Sequence, residues 1–163
     1  MALDPSNPFA HRSTLEYELP PFALIKEEHY LPAFYAGCEE QSAEVEAILK
    51  SGEPTFENTL VALEKSGQLL QRLMHVFFNK SSSDTNDAID KIEEEIAPKL
   101  SAHSDSIKLN EELFARIKNL HEKSSQLGLN EEDQNLLNKY YKDFLQAGAH
   151  LSQAQRKELT VLN

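Results

Sequence analysis

From residue 28 onward, apolar residues recur along this chain at steps of three and four, the spacing of one face of an α-helix. The first stripe, Leu31, Phe34, Cys38, Val45 and Ile48, predicts a helix from about His29 to Leu49, with Gln41 its one polar interruption. Pro32 is tolerated because it falls in the first turn, and Gly52 and Pro54 stop the helix. A longer stripe follows: Phe56, Leu60, Leu63, Gly67, Leu70, Met74 and Phe77 step 4-3-4-3-4-3, which predicts one unbroken helix capped by Thr55. Leu69, Leu73 and Val76 widen its second half, which is therefore expected to be central, and Gly67 is expected to admit another helix closely.

Asp84 or Thr85 opens a third helix carrying Ile89, Ile92, Ile96, Leu100, His103 and Ile107. Pro98 inside it is expected to kink or divide it, at a cost of roughly 3 kcal/mol. Asn110 opens a fourth helix with Leu113, Ile117 and Leu120, ending at Gly128. Asn130 opens a fifth, expected to bury Leu137, Tyr140, Tyr141, Phe144 and Gly148. The capping box Ser152 to Gln155 opens a sixth, continued by Leu159 and Leu162. Too few turns precede Asn163 for that helix to cover much core, so the expectation is a chain cut from something longer. Its apolar face, through Tyr141, Phe144, Gly148 and Leu151, would then be left uncovered. An isolated chain would form an artificial dimer through it, or fray from about Ser152.

Residues 1–27 are different. Pro5, Pro8, Pro20 and Pro21 fix the backbone and remove donors, with Phe9, Leu15, Tyr17 and Phe22 between them, so this reads as an extended arm packed on the body. The fold class expected is all-α: an antiparallel bundle of five or six helices over 28–163, preceded by the arm 1–27. Strands are disfavoured because Leu dominates the apolar residues over the β-branched types.

Composition removes several functions. With 16 basic and 27 acidic side chains, the formal net charge of −11 speaks against binding a nucleic-acid backbone. The single cysteine, Cys38, excludes an internal disulfide and any CxxC site. No apolar run approaches the ~20 residues of a membrane span, and no basic segment followed by an apolar one marks a signal peptide. The expectation is a cytoplasmic location, or a periplasmic one if a signal peptide has been removed.

The chemistry sought is mostly missing. Of His11, His29, His75, His103, His121 and His150, no two stand at i, i+4 on one helix, so there is no HExxH zinc pair. His121-Glu122 begins that motif, but Ser125 stands where the second histidine belongs, and a solvated surface pair is the better reading. His75 and His103 lie beside apolar stripes and read as boundary histidines; Cys38 lies on one and reads as inert packing. The five glycines form neither GxGxxG nor a P-loop. Asp84, Asp87, Asp90, Glu93, Glu94 and Glu95 lack the glycine and final glutamate of an EF-hand loop and read as a solvated helix face. No catalytic, cofactor-binding or metal-binding residue is therefore assigned to this chain.

Several runs nevertheless carry a likeness. Asn7-Pro8-Phe9, Ser13 to Leu15 with Tyr17, Pro21-Phe22, Ile25 and His29 to Phe34 with Gly37 resemble the start of bacterial peptidyl-dipeptidases. These are thimet-oligopeptidase-like zinc metallopeptidases, a family that includes oligopeptidase A. The resemblance continues through Phe56 to Thr59, Ala62 to Glu64, Ser66-Gly67, Val76 to Phe78, Thr85 to Asp87, Leu109-Asn110, Leu113 to Arg116, Leu127 to Leu129, Ala147 to Ala149 and Leu162-Asn163. It spans nearly the whole chain and sits nearer peptidyl-dipeptidase than oligopeptidase A. It implies a helical, two-lobed parent enzyme with a deep channel that admits short peptides and releases C-terminal dipeptides. Its zinc would be held by the histidines of an HExxH motif and a downstream glutamate, all beyond residue 163. This segment would then be scaffold and channel wall, with the remainder of the same polypeptide as its partner. The competing reading is a free-standing helical module that binds a partner helix in an apolar groove.

Overall fold

A computed structural model describes residues 3–151. The described residues are all-α, with no strand among them. The helices are α1 (Glu27–Leu49), α2 (Ala62–Glu64), α3 (Gln68–Ser83), α4 (Asp87–Lys108), α5 (Glu111–Glu122) and α6 (Glu131–Ala147). A π-helical stretch, Phe56–Val61, runs directly into α2. The sixth helix expected from Ser152 onward, with Leu159 and Leu162, lies outside the described residues; the face leading to it is not left open as expected, since Phe144 and Gly148 are buried and Tyr141 and Leu151 half-buried.

The chain divides into two compact units, and the division falls inside α1 after Glu44 and inside α4 after Ala102. The first unit holds residues 1–44 and 65–102. Its core joins Phe9, Tyr30, Phe34, Leu73, Phe77, Ile89 and Ile96. The ring of Tyr30 meets that of Phe77 edge-on at 5.2 Å, and Gly37 faces Leu70 further along, so α1 and α3 run antiparallel. The second unit holds, among the described residues, 45–64 and 103–151. Its core joins Val45, Ile48, Leu60, Leu113, Ile117, Leu120, Leu137 and Phe144. Phe114 stacks on Phe144 and Tyr141 while His121 stacks on Tyr141, an order that makes α5 and α6 an antiparallel hairpin.

Caps explain most helix starts. Asn110 Oδ1 accepts the Leu113 N–H and Asn130 Oδ1 accepts the Asp133 N–H, as their positions predict. Thr55 caps Phe56–Val61 through a reciprocal box with Asn58, at 3.0 and 2.8 Å. Helix α6 ends on Gly148 with φ 92°, where the Ala149 N–H reaches the Phe144 carbonyl; Gly148 closes the helix rather than filling its stripe.

Five expectations are corrected. The stripe from Phe56 to Phe77 is two helices in different units: Gly67 takes φ 69°, which no continuous helix can contain, and α3 starts anew at Gln68. Of the kink or division expected at Pro98, the division does not occur: α4 runs from Asp87 to Lys108 through it, with Ile89, Ile92 and Ile96 buried on the preceding turns. Asn86, not Asp84 or Thr85, caps α4 by accepting the Ala88 and Ile89 N–H groups. Helix α5 stops at Glu122, and a 3-10 turn, Ser124–Gln126, carries the chain on to Gly128. The buried face of α1 is also rotated, with Tyr30, Ala33 and Gly37 inside and Leu31 and Cys38 only half-buried.

Candidate functional site

The most built polar site lies in the second unit around Arg116, a largely buried guanidinium on α5. Arg116 sits between Leu113 and Ile117, both fully buried, so its helix carries it inward with the apolar stripe. Its Nη1 donates to the Gly52 carbonyl at 2.7 Å, its Nη2 to Ser51 Oγ at 2.8 Å and Asn58 Oδ1 at 3.0 Å, and its Nε to Thr59 Oγ1 at 3.3 Å. Asn58 extends the network by donating to the Glu53 and Ser51 carbonyls at 3.0 and 3.3 Å. The planar fork of arginine suits this divergent set of oxygens, which a lysine could not span. The guanidinium is spent on holding the 51–59 turn against α5, and its donors point at protein oxygens rather than outward.

A second joint anchors the arm in the first unit. Asn7 Nδ2 donates to the His29 carbonyl at 3.0 Å, Asn7 Oδ1 accepts the Phe9 N–H at 3.0 Å, and Arg72 Nη2 donates to the Phe9 carbonyl at 3.3 Å. With Phe9 buried beside Tyr30, this fastens the arm at its base. A cavity of about 200 Å³ lies beside it, lined by residues that include Phe9, His11, Glu18, Arg72 and His75. On α1 and α4, Tyr35 donates to Glu95 at 2.5 Å, and Lys99 contacts both groups.

The histidines are scattered. His29 Nδ1 accepts the Lys26 N–H at 3.0 Å and so serves the start of α1. His121 lies flat on Tyr141 with centroids 4.0 Å apart. Burial holds the His103 imidazole below its ordinary value, and it is half-buried. Among the described residues no group of three or more His, Cys, Asp or Glu side chains converges to hold a metal ion. In the acidic stretch Asp84 pairs with Lys80, and Asp90 accepts from Thr85 at 2.5 Å.

Burial pushes the Cys38 thiol up to about 11, so at pH 8 its thiolate is scarcer by about 100-fold than in an unfolded chain. Alkylation by iodoacetamide at pH 8 should accordingly be about 100-fold slower in the native protein than in urea; equal rates would show an exposed, ordinary thiol. Burial and the Glu64 carboxylate beside it raise Tyr140 well above the usual phenol range, and its hydroxyl donates to Glu64 at 2.6 Å. Neither group is disposed to act as a nucleophile or base near neutral pH.

Sequence reasoning missed the Arg116 network because its five residues stand 57 to 65 positions apart from α5 to the 51–59 turn. The clue available was a cation placed on an apolar stripe.

No family model matches the chain. Dipeptidyl carboxypeptidase from Escherichia coli is 41% identical to it over 158 residues, covering 96% of this chain and 23% of the relative. The protein of that name from Salmonella typhimurium is 40% identical over 159 residues, 97% of this chain and 23% of the relative. Oligopeptidase A from Salmonella typhimurium is 25% identical over 142 residues, 86% of this chain and 21% of the relative. Along nearly its whole length this chain is similar to dipeptidyl carboxypeptidase, and it spans 23% of that relative's length.

Proposed function

We propose that this chain is the N-terminal helical region of a zinc metallopeptidase that releases C-terminal dipeptides from short peptides, and that it serves as scaffold and channel wall. The identity of 40–41% over nearly every residue carries this reading. It favours dipeptidyl carboxypeptidase over oligopeptidase A, whose identity is 25%. The runs that resemble the family have structural duties in this fold. Asn7 and Phe9 fasten the arm, Asn58, Thr59 and Arg116 form the buried network, Asn86 caps α4, and Gly67 separates two helices.

A catalytic zinc needs three protein ligands and an open position. The described residues offer no such donor set, so they do not fit the metal, and no chemical step is assigned to them. Zinc, the water-activating glutamate and the peptide-binding groups belong, on this reading, to the rest of the polypeptide. The arm 1–27 and the helices from 28 onward form the domain that this remainder completes, and the whole would act in the cytoplasm. Among the described residues no helix is long and apolar enough to cross a membrane.

The test extends the reading frame to the length of the relatives. The longer polypeptide should release dipeptides from the C-terminus of an N-blocked tetrapeptide and lose that activity to a chelator, while residues 1–163 release none. Dipeptide release by residues 1–163, or an inactive longer polypeptide that folds, would overturn the proposal.

A further inference from the structure

Residues 13–24 of the arm are ordered without being buried. Ser13 Oγ donates to the Leu19 carbonyl at 2.6 Å and accepts the Leu15 N–H at 3.2 Å, closing a seven-residue loop on itself. Within it the Glu18 N–H reaches the Leu15 carbonyl at 2.9 Å, and Arg12 pairs with Glu18 at 3.6 Å. Tyr17 and Glu18 both take positive φ, 57° and 55°, a conformation that residues with a Cβ adopt at a cost and that persists only where the surroundings hold it. The outcome is an outward display. Tyr17 is 87% exposed, and Leu15, Leu19, Phe22 and Leu24 are each more than half exposed.

Exposed apolar side chains scattered singly need no explanation; five within ten residues, on a strained and self-bonded loop, do. The arm's base supplies a contrast, since Phe9 is buried and Asn7 is bonded, so the arm is fastened at one end and left presenting apolar groups at the other.

We propose that the loop 13–24 is a preformed docking element that seats a further part of the same polypeptide, with Tyr17 as its anchor. The relatives are about four times as long as this chain, so most of their chain has no counterpart in it. A surface held in shape before its partner arrives loses little freedom on docking, and tyrosine is among the residues that carry most binding energy at interface centres, here with Leu15 and Leu19 exposed two residues to either side. This inference rests on the reading of the chain as one region of a longer peptidase.

The experiment is hydroxyl-radical footprinting at Tyr17, on residues 1–163 and on the longer polypeptide, with dipeptide release measured on the same samples. Tyr17 should react freely in residues 1–163 and be protected by about fivefold or more in the longer polypeptide, as for a residue at an interface centre. Tyr17→Ser should leave the melting temperature of residues 1–163 unchanged and lower that of the longer polypeptide by several degrees. Equal modification in both, with peptidase activity present, overturns the docking element while leaving the proposed function standing. Protection in an inactive longer polypeptide supports docking and counts against that function. Concentration-dependent protection within residues 1–163 would make a second copy the occupant and overturn the proposal.

Discussion

Replacing Arg116 by leucine is expected to lower the unfolding free energy by about 2–4 kcal/mol, because its partners are neutral oxygens left buried without their donor at a cost of about 1–3 kcal/mol each. The loss has two parts. Four charge-assisted hydrogen bonds disappear, and the fully buried Thr59 hydroxyl and the Gly52 carbonyl lose their guanidinium donor inside a site that leucine closes to water. Arg116→Lys should recover less than half of this, because a single ammonium cannot reach Ser51, Asn58, Thr59 and Gly52 together. Urea unfolding followed by far-UV circular dichroism measures both variants. A loss below about 1 kcal/mol for the leucine variant would mean that the network is solvated and structurally incidental.

The second large effect is at Gly37, and there the sign is the test. Glycine in the middle of a helix is normally improved by alanine, by about 1 kcal/mol. At Gly37 an added Cβ would stand 3.0 Å from the backbone N and Cα of Leu70 on α3 and 3.1 Å from its Cβ. A helix backbone cannot swing aside as a side-chain tip can, so α1 and α3 would have to part, and overpacking of that kind costs about 1–3 kcal/mol. Gly37→Ala is therefore expected to destabilise, and Gly37→Leu to do so by more, read from the melting temperature of each variant. A stabilised alanine variant would show that α1 and α3 do not approach as closely as described.

How far the sequence revealed this fold depended on the range of the physics involved. Helix class and most helix starts were legible because they are local: Asn110 and Asn130 cap through their own third neighbours, and apolar steps of three and four need no partner to be recognised. Gly67 was misread because periodicity is blind to a break that preserves the step; the stripe runs on in register while a left-handed residue interrupts the helix. At Pro98 the expected division does not occur, since the packing of Ile89, Ile92 and Ile96 on the same helix is not visible to a local rule about proline. In the arm, Phe9 packs as its neighbouring prolines suggested, whereas Tyr17 and Phe22 are exposed, which hydropathy could not distinguish. The Arg116 network was the least legible, because its acceptors lie more than fifty residues away in sequence. The runs resembling the peptidase family were visible as a pattern, but only the geometry gave them work to do at caps, turns and joints.

Under the proposed function this chain supplies architecture to a peptidase whose metal chemistry resides elsewhere in the polypeptide. Zinc content bears on it most directly, determined by elemental mass spectrometry on residues 1–163 and on the longer polypeptide, each purified without added metal. About one zinc is expected for each longer polypeptide, removed by chelation together with its activity, and only trace zinc in residues 1–163. Stoichiometric zinc bound by residues 1–163, with chelator-sensitive hydrolysis of peptides, would place the metal chemistry in this chain and overturn the proposed function.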